Sequence, residues 1–130
     1  MKVFLDANIL FSSSNPQSAT RFLLDIILSK YEAVVNDHVM EEARRNLKIK
    51  RADQEKELVI PCSRITMTSS FTMIQMQALP EKDIPVISGA VGSKCTHLWT
   101  GDKKHFSNLY GKTIHGVKIV SSTMLAEEIL

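Results

Sequence analysis

Apolar residues fall along this chain in short blocks with two spacings. Val3, Phe4 and Leu5 are consecutive, and an apolar run that short, followed by a carboxylate, reads as a buried strand over 2–5. A short helix is expected over 7–11, closed by Ser12-Ser13-Ser14-Asn15-Pro16. Ala19, Phe22, Leu23, Ile26 and Ile27 then recur at helical spacing and predict an amphipathic helix over 17–30. A second strand is expected over 31–35. Asn36 or Asp37 is placed to cap a helix running to about Ile49, with Val39, Ala43 and Leu47 inward and Glu42 on the shoulder of that face. The segment 64–68 reads as a strand, and 70–79 as a short helix packed through Met73, Ile74 and Met76. Asp83 opens the next helix as its N-cap, with Pro85 in the first turn and Ile84, Ile87 and Val91 on one face. Strands at 97–99 and 117–120 follow, with helices at 103–109 and, from Ser122 or Thr123, at 122–130. Strands alternating with helices predict an α/β fold with a mostly parallel sheet covered by helices. No repeat or linker interrupts the pattern, so 1–130 is expected to be one domain.

Composition narrows the class. In 130 residues, 44% are hydrophobic and 23% charged, a globular balance. No apolar run approaches the roughly 18 residues of a membrane span. The first residues lack the pattern of a signal peptide, which points to the cytosol and to no membrane partner. Cys62 and Cys95 have no metal-ligand spacing and are expected to be reduced. The net charge of +2 permits a polyanionic partner without announcing one. The charged run 48–57 is read as a solvated helix and turn.

The candidate chemistry lies in four acids. Asp6 and Asp102 each follow a strand, Asp83 stands at a helix start, and Glu42 lies beside an apolar helix face. Each has a structural explanation when taken alone: a cap for Asp6, Asp83 and Asp102, and solvent for Glu42. Gathered at one rim they would repel each other, and a divalent cation would relieve that cost. Hard oxygen donors suit Mg²⁺ or Mn²⁺ rather than Zn²⁺. Such a centre fits phosphoester hydrolysis. No Ser-His-Asp set, Cys-His pair or glycine-rich phosphate loop competes.

These segments resemble the PIN-domain family, the nuclease fold of the VapC-type toxins and related ribonucleases. The resemblance spans nearly the whole chain. Its carriers are Phe4-Leu5-Asp6-Ala7-Asn8-Ile9-Leu10 (the opening DxN), Val39-Met-Glu-Glu42-Ala-Arg-Arg-Asn-Leu47, Asp83-Ile-Pro-Val-Ile-Ser-Gly-Ala90 (DxxxxxxA) and Leu98-Trp-Thr-Gly-Asp102-Lys-Lys-His-Phe106 (TGD…F). DxN alone is weak; four motifs in order at domain-like spacing are specific. The resemblance implies a PIN-like three-layer α/β/α fold with a twisted, mostly parallel sheet. It implies a metal-binding cluster of Asp6, Glu42, Asp83 and Asp102, with Asn8 and Thr100 orienting those carboxylates. It implies Mg²⁺- or Mn²⁺-dependent cleavage of single-stranded RNA, an antitoxin protein as partner and a homodimer. Arg44, Arg45, Lys48, Lys103 and Lys104 flank the acidic segments and are candidates for holding RNA phosphates. Many relatives carry one more acid after the last motif, where this chain reads Lys103-Lys104-His105-Phe106. His105 itself reads as a surface histidine, a phosphate contact being its other reading, and His38, His97 and His115 as structural.

Two other functions remain open on sequence. One is a catalytically inactive PIN-like module that binds RNA or protein. The other is a different acid-rim enzyme, a phosphatase or phospho-acceptor domain; Asn8 stands where an aspartyl-phosphatase would have a second Asp, which counts against it.

Overall fold

The computed structural model describes residues 1–76 and 79–130. Six strands form one sheet: β1 (Lys2–Leu5), β2 (Glu32–Val35), β3 (Thr66–Met67), β4 (His97–Trp99), β5 (Thr113–Ile114) and β6 (Val117–Val120), in the order β3-β2-β1-β4-β6-β5. All neighbours are parallel except β5 and β6. The helices are α1 (Ala7–Ser13), α2 (Ala19–Lys30), α3 (Asp37–Lys50), α4 (Val59–Ser63), α5 (Ile84–Gly92), α6 (Lys103–Phe106) and α7 (Ser122–Ile129). Among the described residues two 3₁₀ turns, Ala52–Leu58 and Glu81–Asp83, complete the elements.

The order of the strands explains the layers. From β1 the chain steps outward to β2 and β3, then returns past β1 to β4 and β6. Right-handed crossovers taken in opposite directions put their helices on opposite faces. Accordingly α5 packs on β1 and β4, while α2 packs on β2 and touches α7, which covers β6. The result is the three-layer, mostly parallel PIN-like architecture that the motifs imply. The direction reverses between β1 and β4, and in open parallel sheets the crevice beyond the strand ends at that point is where ligands bind.

Val3, Phe4, Leu5, Leu98 and Trp99 lie in the centre of the sheet and are inaccessible to solvent. Trp99 keeps its indole N–H satisfied by donating to Ser122 Oγ at 2.9 Å. Gly89 allows the close approach of α5 to the sheet, because a Cβ there would meet the Phe4 ring at 3.0 Å and the Asn36 amide at 2.5 Å. Cys62 and Cys95 are both free thiols. Among the described residues no helix is long and apolar enough to cross a membrane.

Several expectations need correction. The buried face of α2 is Leu23, Leu24 and Ile27, and Phe22 is 63% exposed. The helical pattern fits equally well when started one residue later, at Thr20, and it is Leu28, not Phe22, that packs on the core. Helix α1 runs two residues beyond Phe11. Ser121, not Ser122 or Thr123, caps α7. The 103–109 helix stops at Phe106, and the short β5 was not foreseen. The helix expected over 70–79 does not form over 70–76, while residues 77 and 78 lie outside the described ones. In that stretch Thr72 N–H donates to the Ser88 carbonyl and Ile74 N–H to Ser88 Oγ. Two of its N–H groups are therefore satisfied by Ser88 of α5, and Ser70 N–H by the Thr68 hydroxyl, rather than by helical turns.

Candidate functional site

The expected site residues come from four places in the fold. Asp6 leaves β1 at the switch point, and its N–H still continues the ladder to the Trp99 carbonyl at 3.0 Å. Asp102 ends the Thr100-Gly101-Asp102 turn that follows β4. Glu42 projects from the second turn of α3, a helix started by Asn36, whose Oδ1 accepts from Val39 N–H at 3.0 Å. Asp83 ends the 3₁₀ turn before α5. Asp6, Glu42, Asp83 and Asp102 line one cleft of about 330 Å³, together with Asn8, Asn46, Lys82 and Gly101. A larger groove of about 1070 Å³ lies between residues 68–76 and the start of α5; it is apolar and holds none of the four acids.

Hydrogen bonds fix two of these acids. Asp6 Oδ1 accepts from Ala7 N–H at 2.7 Å, and Oδ2 accepts from the Thr100 hydroxyl at 2.8 Å and weakly from the Asn8 amide at 3.5 Å. Asn8 Oδ1 in turn accepts from Gly101 N–H at 2.8 Å, which ties the β1 and β4 loops together. Thr100 Oγ1 accepts from Asp102 N–H at 3.1 Å, and Tyr110 donates its hydroxyl to the Thr100 carbonyl at 2.9 Å. Asn8 and Thr100 thus hold the loops that carry Asp6 and Asp102. Asp102 Oδ1 accepts from His105 N–H at 3.1 Å.

Asp83 departs from its expected role. Its backbone is helical and its side chain makes no capping hydrogen bond to α5. The carboxylate turns instead toward His105, whose Nδ1 lies 2.7 Å from Asp83 Oδ2 and 2.9 Å from Asp102 Oδ2. His105 is not a surface residue: its side chain is 15% exposed. A signal for this was present, because i,i+3 spacing on a helical turn places His105 beside Asp102. Lys82 and Asn46 were missed as well. They adjoin Asp83 in sequence and follow Glu42 by one helical turn, respectively. The cations Arg44, Arg45, Lys48, Lys103 and Lys104 are all exposed.

The electrostatics of the cleft favour a bound cation. Asp6 is 4% exposed, and its carboxyl pKa is pushed up to about 6, chiefly by burial and further by the charges of Glu42 and Asp83, against the hydrogen bonds from Thr100 and Ala7. Asp83, 8% exposed, is also raised by burial and by Asp102 and Glu42, with His105 and Lys82 opposing. Asp83 Oδ2 and His105 Nδ1 are buried without a hydrogen-bond partner, because their close approach is not directed as a hydrogen bond. A buried carboxylate oxygen with no directed hydrogen bond, in a cleft of hard oxygen donors, fits a divalent metal. One donor atom from each of Asp83, Asp102 and His105 lies within 4.8 Å of the others; Asp6 and Glu42 line the same cleft outside this tight set.

No model of a known sequence family matches the chain, and no curated protein matches it in sequence. Among solved structures it is similar to a chain of the crystal structure of VapBC2 from Rickettsia felis bound to a DNA fragment from their promoter. The TM-score is 0.66 at 16% identity, over 93% of this chain and 98% of that one. The protein therefore has a PIN-like fold, the architecture that its four sequence motifs point to.

Proposed function

We propose that this protein is a Mg²⁺- or Mn²⁺-dependent endoribonuclease that hydrolyses phosphodiester bonds of single-stranded RNA, as a toxin of the VapC type. The observation that carries the reading is the lining of one cleft at the sheet's switch point by Asp6, Glu42, Asp83 and Asp102. Proteins seldom gather so many carboxylates, one with its pKa raised to about 6, without a cation to compensate them. A divalent ion held by these acids would supply Lewis acidity toward a phosphoryl oxygen and make water a usable nucleophile at neutral pH. The remaining chemistry belongs to the chain. Thr100 and Asn8 fix the Asp6 carboxylate and the Gly101 turn, so the cleft is shaped before substrate arrives. Lys82 at the cleft, and Arg44, Arg45, Lys48, Lys103 and Lys104 around it, would hold the phosphate backbone. The neighbour's VapBC2 assembly supports an antitoxin as the partner of this chain; a homodimer as its working form rests on the family resemblance alone.

One observation favours a second reading. His105 Nδ1 lies 2.7 Å from Asp83 and 2.9 Å from Asp102, so the imidazole can occupy the place between the carboxylates, as in an RNA-binding module that does not cut. A cleavage assay decides. Purified protein with Mn²⁺ or Mg²⁺ is expected to cut a single-stranded RNA, and EDTA to stop it. Full activity of the Asp6→Asn, Asp102→Asn double variant, or cutting in EDTA, overturns the proposed mechanism. RNA binding with no cleavage in either metal selects the second reading.

A further inference from the structure

We propose that His105 is itself a metal ligand, so that the centre has one imidazole nitrogen among its carboxylate oxygens and selects a first-row transition dication such as Mn²⁺ over Mg²⁺. The proposal rests on the metal-centre reading above and specifies its donor set. Three observations carry it. First, the His105 Nδ1, Asp83 Oδ2 and Asp102 Oδ2 contacts of 2.7 and 2.9 Å match the edge of about 3 Å between neighbouring donors around one small ion. Second, Asp83 Oδ2 and His105 Nδ1 are both buried and both lack a hydrogen-bond partner. Their 2.7 Å approach lacks hydrogen-bond alignment, which leaves both lone pairs available to an ion shared between them. Third, His105 is held in place independently of any ion: its N–H is capped by Asp102 Oδ1, and Phe106 beside it is fully buried.

The consequence for selectivity follows from donor chemistry. Mg²⁺ prefers oxygen ligands and keeps its waters, while imidazole improves the affinity of d-block dications. An all-carboxylate version of this centre would leave the two metals closer in affinity.

The test is metal binding on the full-length protein, stripped with EDTA and dialysed. Titration calorimetry with Mn²⁺ and with Mg²⁺ is expected to give at least a tenfold preference for Mn²⁺. In His105→Asp, which restores an all-oxygen set, the preference should shrink to a few-fold. Pulsed EPR of the Mn²⁺-loaded wild type is expected to show coupling to a directly bound ¹⁴N that vanishes in His105→Asp. The spectrum of the wild type stands alone should the variant fail to fold. Stoichiometric Mn²⁺ without nitrogen coupling, or equal Mn²⁺ and Mg²⁺ affinities, overturns the His105 assignment and leaves the four-acid nuclease intact. Absence of binding by either metal overturns both.

Discussion

Removing the charge of Asp6 should stabilise the metal-free protein at neutral pH and destabilise it in acid. In the folded chain the Asp6 carboxyl is pushed up from its ordinary 3.8 to about 6, chiefly because it is buried. At 1.36 kcal/mol per pH unit, that gap is worth about 3 kcal/mol. The sign follows from proton binding. Between pH 4 and 6 the unfolded chain has released the Asp6 proton while the folded chain keeps it, so folding stability falls as pH rises. Above pH 6 both states are ionised and the full loss persists; below pH 3.8 both are protonated and it vanishes. Asp6→Asn has no such slope from this position. Its amide can still accept from Ala7 N–H, but its NH₂ replaces the oxygen that accepts from Thr100, a pH-independent cost of about 1 kcal/mol. The variant should therefore be about 0.5 kcal/mol less stable than wild type near pH 4, where the unfolded carboxyl is already partly ionised, and about 2 kcal/mol more stable near pH 7.5.

Urea unfolding in EDTA at both pH values measures this difference directly. Asp83, which is also raised, titrates in both proteins and largely drops out of the comparison. A difference that does not change between pH 4 and 7.5 would refute the account of Asp6 as a buried, destabilised carboxylate. With saturating Mn²⁺ the order should reverse at pH 7.5, since only the wild type keeps all four acids for the ion.

Two further outcomes test other parts of the structure. Gly92→Ala should destabilise by about 1–3 kcal/mol in urea unfolding, because its Cβ would collide with the Phe71 backbone; a gain of about 1 kcal/mol, the usual helix preference for Ala, would show that residues 68–76 do not pack there. Lys103→Ala with Lys104→Ala should weaken single-stranded RNA binding and reduce the salt dependence of log K by about 0.7 per lost phosphate contact, measured by fluorescence anisotropy across a salt series. An unchanged salt slope would remove these two lysines from the RNA path.

Where the sequence was legible, one physical signal dominated its segment. The run Val3-Phe4-Leu5 could be only a buried strand, and Asn36 ahead of Val39, Ala43 and Leu47 announced both the start and the inner face of α3. It misled where two signals were equally good. The α2 stripe admits two phases one residue apart, and only the packing of Leu24 and Leu28 decides between them. Residues 70–76 have helical apolar spacing, but their backbone partner is Ser88, far away in sequence. His105, which follows two lysines, was expected at the surface. The short α6 turns those two outward and His105 inward.

The structural and chemical readings of the strand-end acids are not rivals. Asp6 spends Oδ1 on Ala7 N–H, at the start of α1, and presents Oδ2 to Thr100 beside the cleft. Asp102 does the same: Oδ1 caps His105 N–H and Oδ2 faces the His105 ring. A carboxylate has two oxygens, so each of these residues can begin a helix with one and serve a ligand with the other. Capping also fixes the side-chain rotamer, and for Asp6 the Thr100 hydroxyl steadies the second oxygen as well. Asp83 breaks the pattern, since the helix after it takes no hydrogen bond from its side chain. Burial disfavours its charge, and one of its oxygens has no hydrogen-bond partner. A residue retained only for folding would be expected to cap α5 from that position. Its failure to do so is the strongest sign that the cleft is built for something other than stability.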